Sequence, residues 1–231
     1  MNFCSVHFFS GQNRTRLCRC VSVSFHSMEP GSLRRYKVAF VGEARVGKTS
    51  LICALFGNQF REDQPSSIAP DPFFGTFRGA DGTPVQLHVW DTVGQDTVLE
   101  TSTAYIRGSA LVLVAFNLCD ISTLMACSEW AHEVRNRLGD GPQLMLVGTQ
   151  QDREADRRVS PQLAHDKAAE IGALFVETSA KTGHQVDTLK GLMVQLCTAS
   201  SLELRPPQNT VKLACPSPSS HRHQQQGACG C

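Results

Sequence analysis

Short apolar runs alternate with longer amphipathic stretches from about residue 35 to residue 199, and that alternation predicts the elements of the chain. Val38-Ala39-Phe40-Val41 is an apolar run inside a strand predicted over Tyr36–Val41, and Ser50–Phe56 follows as a helix ended by Gly57. Asn58–Pro72 is polar and bears prolines, so it reads as an extended loop. Phe73–Arg78 and Val85–Trp90 read as strands joined by Gly79-Ala80-Asp81-Gly82, hairpin chemistry that makes the pair antiparallel. Asp91–Gly108 is irregular or weakly helical, and Ala110–Phe116, the most apolar run, belongs at the centre of a sheet. Ser122–Leu138 reads as one helix with Leu124, Trp130, Val134 and Leu138 on one face. Leu144–Val147 is the next strand, Ser160-Pro161 opens a helix, and Leu174–Val176 is the last strand. Val186–Cys197 is the last helix, with Leu189, Leu192, Met193 and Leu196 as its buried stripe. Strands alternating with helices predict a doubly wound α/β fold. Its mostly parallel sheet has about six strands, one antiparallel edge strand and helices on both faces, and it binds ligands outside the strand C-termini.

The flanks are different in kind. Residues 1–34 and 200–231 are expected to be disordered around a domain at 35–199, because stretches such as Pro206-Pro207 and Gln224-Gln225-Gln226 cannot build a packed core. Residues 1–27 carry Arg14, Arg16 and Arg19 and no acidic residue, as a mitochondrial transit segment does; an upstream extension ahead of Met28 is the reading preferred here. A hydrophobic share of 41% suits a globular core, and a formal net charge of +1 gives nucleic acid no electrostatic encouragement. Cys53, Cys119, Cys127 and Cys197 fall singly within core elements, and the other six of the ten cysteines sit in the tails. That is no disulfide framework of a small secreted domain, and the phosphate-loop pattern at Gly42–Thr49 points to a reducing compartment.

Four stretches carry candidate chemistry, each at the end of a predicted strand. Gly42-Glu43-Ala44-Arg45-Val46-Gly47-Lys48-Thr49 stands between a strand and a helix, the context in which such a loop wraps a diphosphate with inward N–H groups. Lys48 supplies a positive charge for the outer phosphates, the Thr49 hydroxyl can ligate magnesium, and Ser50 is the last nucleotide-binding residue of the stretch. In Trp90-Asp91-Thr92-Val93-Gly94-Gln95, Asp91 can hold magnesium through water, Gly94 can offer its amide to a terminal phosphate and Gln95 can orient an attacking water. In Thr149-Gln150-Gln151-Asp152, the Asp152 carboxylate can accept two N–H donors from guanine in a partly buried pocket. Thr178-Ser179-Ala180-Lys181 places a backbone N–H at Ala180 for the base carbonyl. The last two stretches disfavour an adenine-nucleotide kinase or ATPase.

With these motifs, Tyr105-Ile106-Arg107-Gly108, Glu177-Thr178-Ser179-Ala180-Lys181 and the terminal Cys-Gly-Cys, the stretch from about Arg35 to Cys197 resembles a Ras-superfamily small GTPase. It is most similar to the Rab family. The resemblance implies GTP and GDP as ligands with Mg2+, hydrolysis of GTP to GDP, and an exchange factor, a GTPase-activating protein and effectors as partners. It also implies prenylation of Cys229 and Cys231 by prenyl-transfer and escort machinery. The protein would then act in vesicle traffic on the cytoplasmic face of intracellular membranes, with a cytosolic pool. A zinc site from His221, His223, Cys229 and Cys231 has the wrong spacing and is set aside. Cys215 is a weak candidate for palmitate.

The chain also departs from the family. Thr149-Gln150 stands where Asn-Lys is usual, Val93 replaces an alanine, and Asp96-Thr97-Val98 replaces Glu-Arg-Phe on the surface that Rab partners read. Arg45 stands where a small residue is common. The family's magnesium-ligating threonine in the upstream loop aligns with Ile68, or with Ser67 if the loop carries one extra residue absorbed around Pro70 and Pro72. With Ile68 in place, hydrolysis is expected to be slow. A nucleotide-binding module with little hydrolysis is the alternative.

Overall fold

Strands are where the chain can hide a continuous apolar run, and the longest such runs form the middle of the sheet. A computed structural model describes residues 33–64, 71–79, 81–92 and 105–204. The elements are β1 (Arg34–Val41), α1 (Lys48–Leu55), β2 (Asp71–Arg78), β3 (Pro84–Asp91), β4 (Leu111–Asn117), α2 (Ile121–Met125), α3 (Cys127–Leu138), β5 (Gln143–Thr149), α4 (Pro161–Glu170), β6 (Leu174–Glu177) and α5 (Val186–Ala199). One six-stranded sheet has the order β2-β3-β1-β4-β5-β6. Strands β3, β1, β4, β5 and β6 run parallel, and β2 pairs antiparallel with β3 at the edge. The doubly wound sheet expected from the alternation is therefore the one observed.

Side chains on alternate positions of β1 enter two separate cores. Tyr36, Val38 and Phe40 pack with Leu51 and Ile52 of α1 and Leu189 and Met193 of α5. Ala39 and Val41 face the other way, against Leu124, Trp130 and Val134 of α2 and α3 and Ala164 and Ala168 of α4. The parallel strands all end at one edge of the sheet, and the order reverses at β1, so the crevice opens where β1 hands over to α1.

Several expectations need correction. The helix expected over Ser122–Leu138 is two, interrupted at Ala126. Asp120 caps the first by accepting from Ser122 N at 3.0 Å. The Cys127 thiol donates to the Thr123 carbonyl at 3.3 Å, the acceptor that a regular helix keeps for the Cys127 amide. Cys119, placed in a core element by the sequence, lies half-buried in the turn after β4, whereas Cys53, Cys127 and Cys197 are buried. Strand β2 begins at Asp71, with Pro72 opposite Trp90, two residues earlier than expected. An edge strand tolerates proline. Pro72 therefore cannot absorb an extra residue before pairing begins, and any extra residue must lie upstream of Asp71. Elsewhere the strands run a residue or two past their expected ends, the ordinary uncertainty of boundaries.

The hairpin and the capped helix are as expected. Gly79 N donates to Thr83 O at 2.9 Å across the β2–β3 turn, and Asp81 braces it by accepting from Thr83 N at 2.9 Å. Ser160 accepts from Leu163 N at 3.3 Å with Pro161 in the first turn of α4. After α5 the chain returns to the sheet, where Leu204 N donates to Arg35 O at 2.7 Å.

Candidate nucleotide-binding site

The loop after β1 is built around one lysine. Gly47 ends it in the left-handed region, at φ 94°, and turns the chain into α1. Lys48 opens that helix, yet its side chain folds back into the loop, where Nζ donates to Gly42 O and Glu43 O at 2.8 Å each. Its ammonium group is buried, 6% exposed, and burial pushes its pKa down to about 8 against the opposing pull of Asp91 and Glu43. Two loop carbonyls thus hold a cation that phosphates would satisfy better.

The two framing glycines solve different problems. A Cβ on Gly42 would sit 2.2 Å from the Ala115 carbonyl oxygen of β4, so close backbone packing reserves that position as well as its φ of 133°. At Gly47 there is room, and only the backbone angle demands glycine. Between them Ala44 and Arg45 are exposed and Val46 is buried. Arg45 adopts φ 62°, a left-handed conformation that L side chains rarely take.

Asp91 closes β3 beside this loop. It is buried, 1% exposed, and its Oδ2 accepts from Thr49 Oγ1 at 2.6 Å. The next residue, Thr92, is pinned to β1 by donating to Phe40 O at 2.5 Å. A hydroxyl and a carboxylate brought together next to a phosphate loop are hard oxygen donors of the kind Mg2+ takes while keeping several waters. Thr49 directly and Asp91 through water fit that ion.

The loops after β5 and β6 meet at the other side of the crevice. Ser179 Oγ donates to Asp152 Oδ1 at 2.6 Å and accepts from Thr182 N at 3.1 Å. Gln151 N donates to Thr178 O at 3.1 Å, so the two loops are joined by backbone as well. Asp152 is exposed rather than partly buried, and Ser179 is what orients it. Lys181 pairs with Glu62 at 2.9 Å on the exposed surface. Gln150 is the second left-handed non-glycine of the site, at φ 62°.

Thr149 joins the two halves. Its hydroxyl lies 2.5 Å from Val46 O in the phosphate loop and 2.9 Å from Phe116 O of β4. One hydroxyl has one hydrogen to give, so it serves these acceptors in turn, where an asparagine amide would offer two.

The structure thus brings Glu43, Ala44, Arg45, Val46, Gly47, Lys48, Thr49, Ser50 and Asp91 to one end of the crevice. Thr149, Gln150, Asp152, Ser179, Ala180 and Lys181 form the other. Gly94, Gln95, Ser67, Ile68, Cys229 and Cys231 lie outside the described residues. The sequence model of the Ras family matches residues 37–198. The chain belongs to the Ras family. This Ras-family protein is a GTP-binding small GTPase, and the match spans both halves of the crevice.

Some contacts of this small GTPase were not visible in its sequence. Trp130, read as part of an apolar stripe, donates from Nε1 to Glu43 Oε1 at 3.0 Å. Lys37, inside the first strand, donates to Arg107 O at 2.9 Å and lies 5.0 Å from the centre of the Trp90 ring. A lysine within a buried strand is a signal that could have prompted a search for its partner.

Proposed function

We propose that this protein is a Rab-like switch that binds and hydrolyses GTP and acts in intracellular vesicle traffic. The observation that supports the nucleotide chemistry best is the convergence, at one sheet edge, of the buried Lys48, the Thr49–Asp91 pair and the Ser179–Asp152 pair. Lys48 and the loop amides neutralise the phosphates, and Asp152 accepts from guanine N–H groups while Ser179 fixes its angle. Bound Mg2+ would neutralise charge on the phosphate oxygens; Thr49 and Asp91 are the residues to hold it. Gln95 orients the attacking water and Gly94 donates its amide to the terminal phosphate, roles that rest on the family resemblance. Nucleotide would order the loop between α1 and β2 and the loop between β3 and Tyr105, and hydrolysis would release them. With Ile68 in the place of the usual threonine, hydrolysis is slow.

The Rab-like part of the proposal rests on Tyr105-Ile106-Arg107-Gly108 and on the terminal Cys229-Gly230-Cys231. Prenylation of Cys229 and Cys231 would attach the protein to the cytoplasmic face of intracellular membranes, with escort machinery maintaining a cytosolic pool. One lipid chain gives marginal binding, and the tail offers few basic residues to help it, so both cysteines are needed. Exchange factor, activating protein and effector are the partners of such a switch.

Chromatography of the nucleotide released from gently purified protein tests the core of this reading. GDP or GTP is expected, and ATP or an empty protein would overturn it. Single-turnover hydrolysis then separates a slow GTPase from a module that only holds nucleotide.

A further inference from the structure

Glu43 is an odd residue to find in a loop that gathers phosphates. Its backbone carbonyl accepts from Lys48 Nζ at 2.8 Å, so its side chain starts within a few bonds of the cradle. A carboxylate free to turn inward there would repel every phosphate oxygen. It is not free. Trp130 Nε1 donates to Glu43 Oε1 at 3.0 Å, and among the described residues this is the hydrogen bond that the carboxylate makes.

The donor is fixed and single-purpose. Trp130 is 6% exposed and packs among Leu124, Cys127, Ala131 and Val134 in the core on the α3 side of the sheet. An indole N–H can donate and cannot accept, so it suits a carboxylate and offers a phosphate loop nothing else.

We propose that Trp130 is a positioning residue of the phosphate site. It tethers the Glu43 carboxylate to α3, turned away from the incoming phosphates. This rests on the reading that the crevice binds guanine nucleotide. Cutting the tether leaves a mobile negative charge beside the phosphates, so nucleotide leaves faster, and removing that charge cancels the defect.

The test is a double-mutant cycle on the full chain, read as the release rate of a fluorescent GDP analogue. Trp130→Phe keeps most of the packing and removes the N–H. In the Glu43 background it should speed release on the order of tenfold, more at low salt than at high, because the new term is charge repulsion. In the Glu43→Gln background the same Trp130→Phe change should alter release by less than about twofold. An equal effect in both backgrounds would show a packing role, and no effect in either would show that the tether does nothing; both overturn the proposal. A second measurement needs no tryptophan variant. The Trp130 indole N–H resonance, told apart from that of Trp90 by its shift in Glu43→Gln, should keep its hydrogen-bonded position when GDP is added. Its return to a free position on loading would overturn the proposal. A wild-type protein that binds no GDP at all would instead defeat the nucleotide reading, a distinct result.

Discussion

Replacing Lys48 with methionine should make the empty protein more stable while abolishing its response to nucleotide. Burial lowers the Lys48 pKa from 10.5 to about 8. That shift corresponds to about 3 kcal/mol by which folding at pH 7 is opposed by keeping the group charged. Methionine relieves that term and strands the Gly42 and Glu43 carbonyls, at about 1 kcal/mol each. The net gain is about 1 kcal/mol, or about 2–4 °C in Tm for a domain of this size. The pH dependence has a definite sign. Between pH 8 and 10.5 the unfolded chain keeps the lysine proton that the folded protein has lost, so the wild type gains stability as pH rises through that window. By pH 9.5 it has gained about 2 kcal/mol from this group, and the advantage of Lys48→Met reverses. Thermal unfolding of nucleotide-stripped protein at pH 7 and 9.5, with and without GDP, measures all of this. A variant less stable than wild type at both pH values by the same margin would refute the reasoning, since the lysine would then be a net stabiliser between its two carbonyls.

Asp152→Ala should weaken GDP by at least tenfold in competition binding, because charge-assisted bonds to guanine are worth about 1.5–3 kcal/mol each; unchanged affinity would remove Asp152 from the base site. Arg45→Gly should raise the stability of the empty protein by about 0.5–1 kcal/mol in denaturant unfolding, the relief of a left-handed arginine less the added chain entropy of glycine. Gly42→Ala should fail to give a stably folded protein, because its Cβ would lie 2.2 Å from the Ala115 oxygen and both partners are backbone; a wild-type unfolding curve would contradict this. Cys229→Ser with Cys231→Ser should leave the protein in the soluble fraction, and mass spectrometry of the wild-type tail should show two prenyl groups; a double variant that still pelleted with membranes would defeat the anchor.

Some of this molecule was determined by local pattern alone. Strand-to-helix alternation makes a parallel sheet, and a parallel sheet puts the end of every such strand on one edge. Motifs written at strand ends, such as Gly42…Thr49, Asp91, Asp152 and Ser179, must therefore converge, and the sequence suffices to say so. Turn and cap chemistry are equally local, which is why Asp81-Gly82 and Ser160-Pro161 read correctly. Other features depend on residues far apart in the chain, and no periodicity encodes them. Trp130 reaches Glu43 across 87 positions, and Thr149 reaches Val46 across 103. Gly42 is required by a carbonyl on β4 that the loop's own sequence does not contain. The start of β2 at Asp71 is set by its pairing with β3, which overrides the extended-loop character of the prolines. Side-chain periodicity records which face of an element is buried; which atom waits on the other side is decided when the two faces of the sheet are covered and packed.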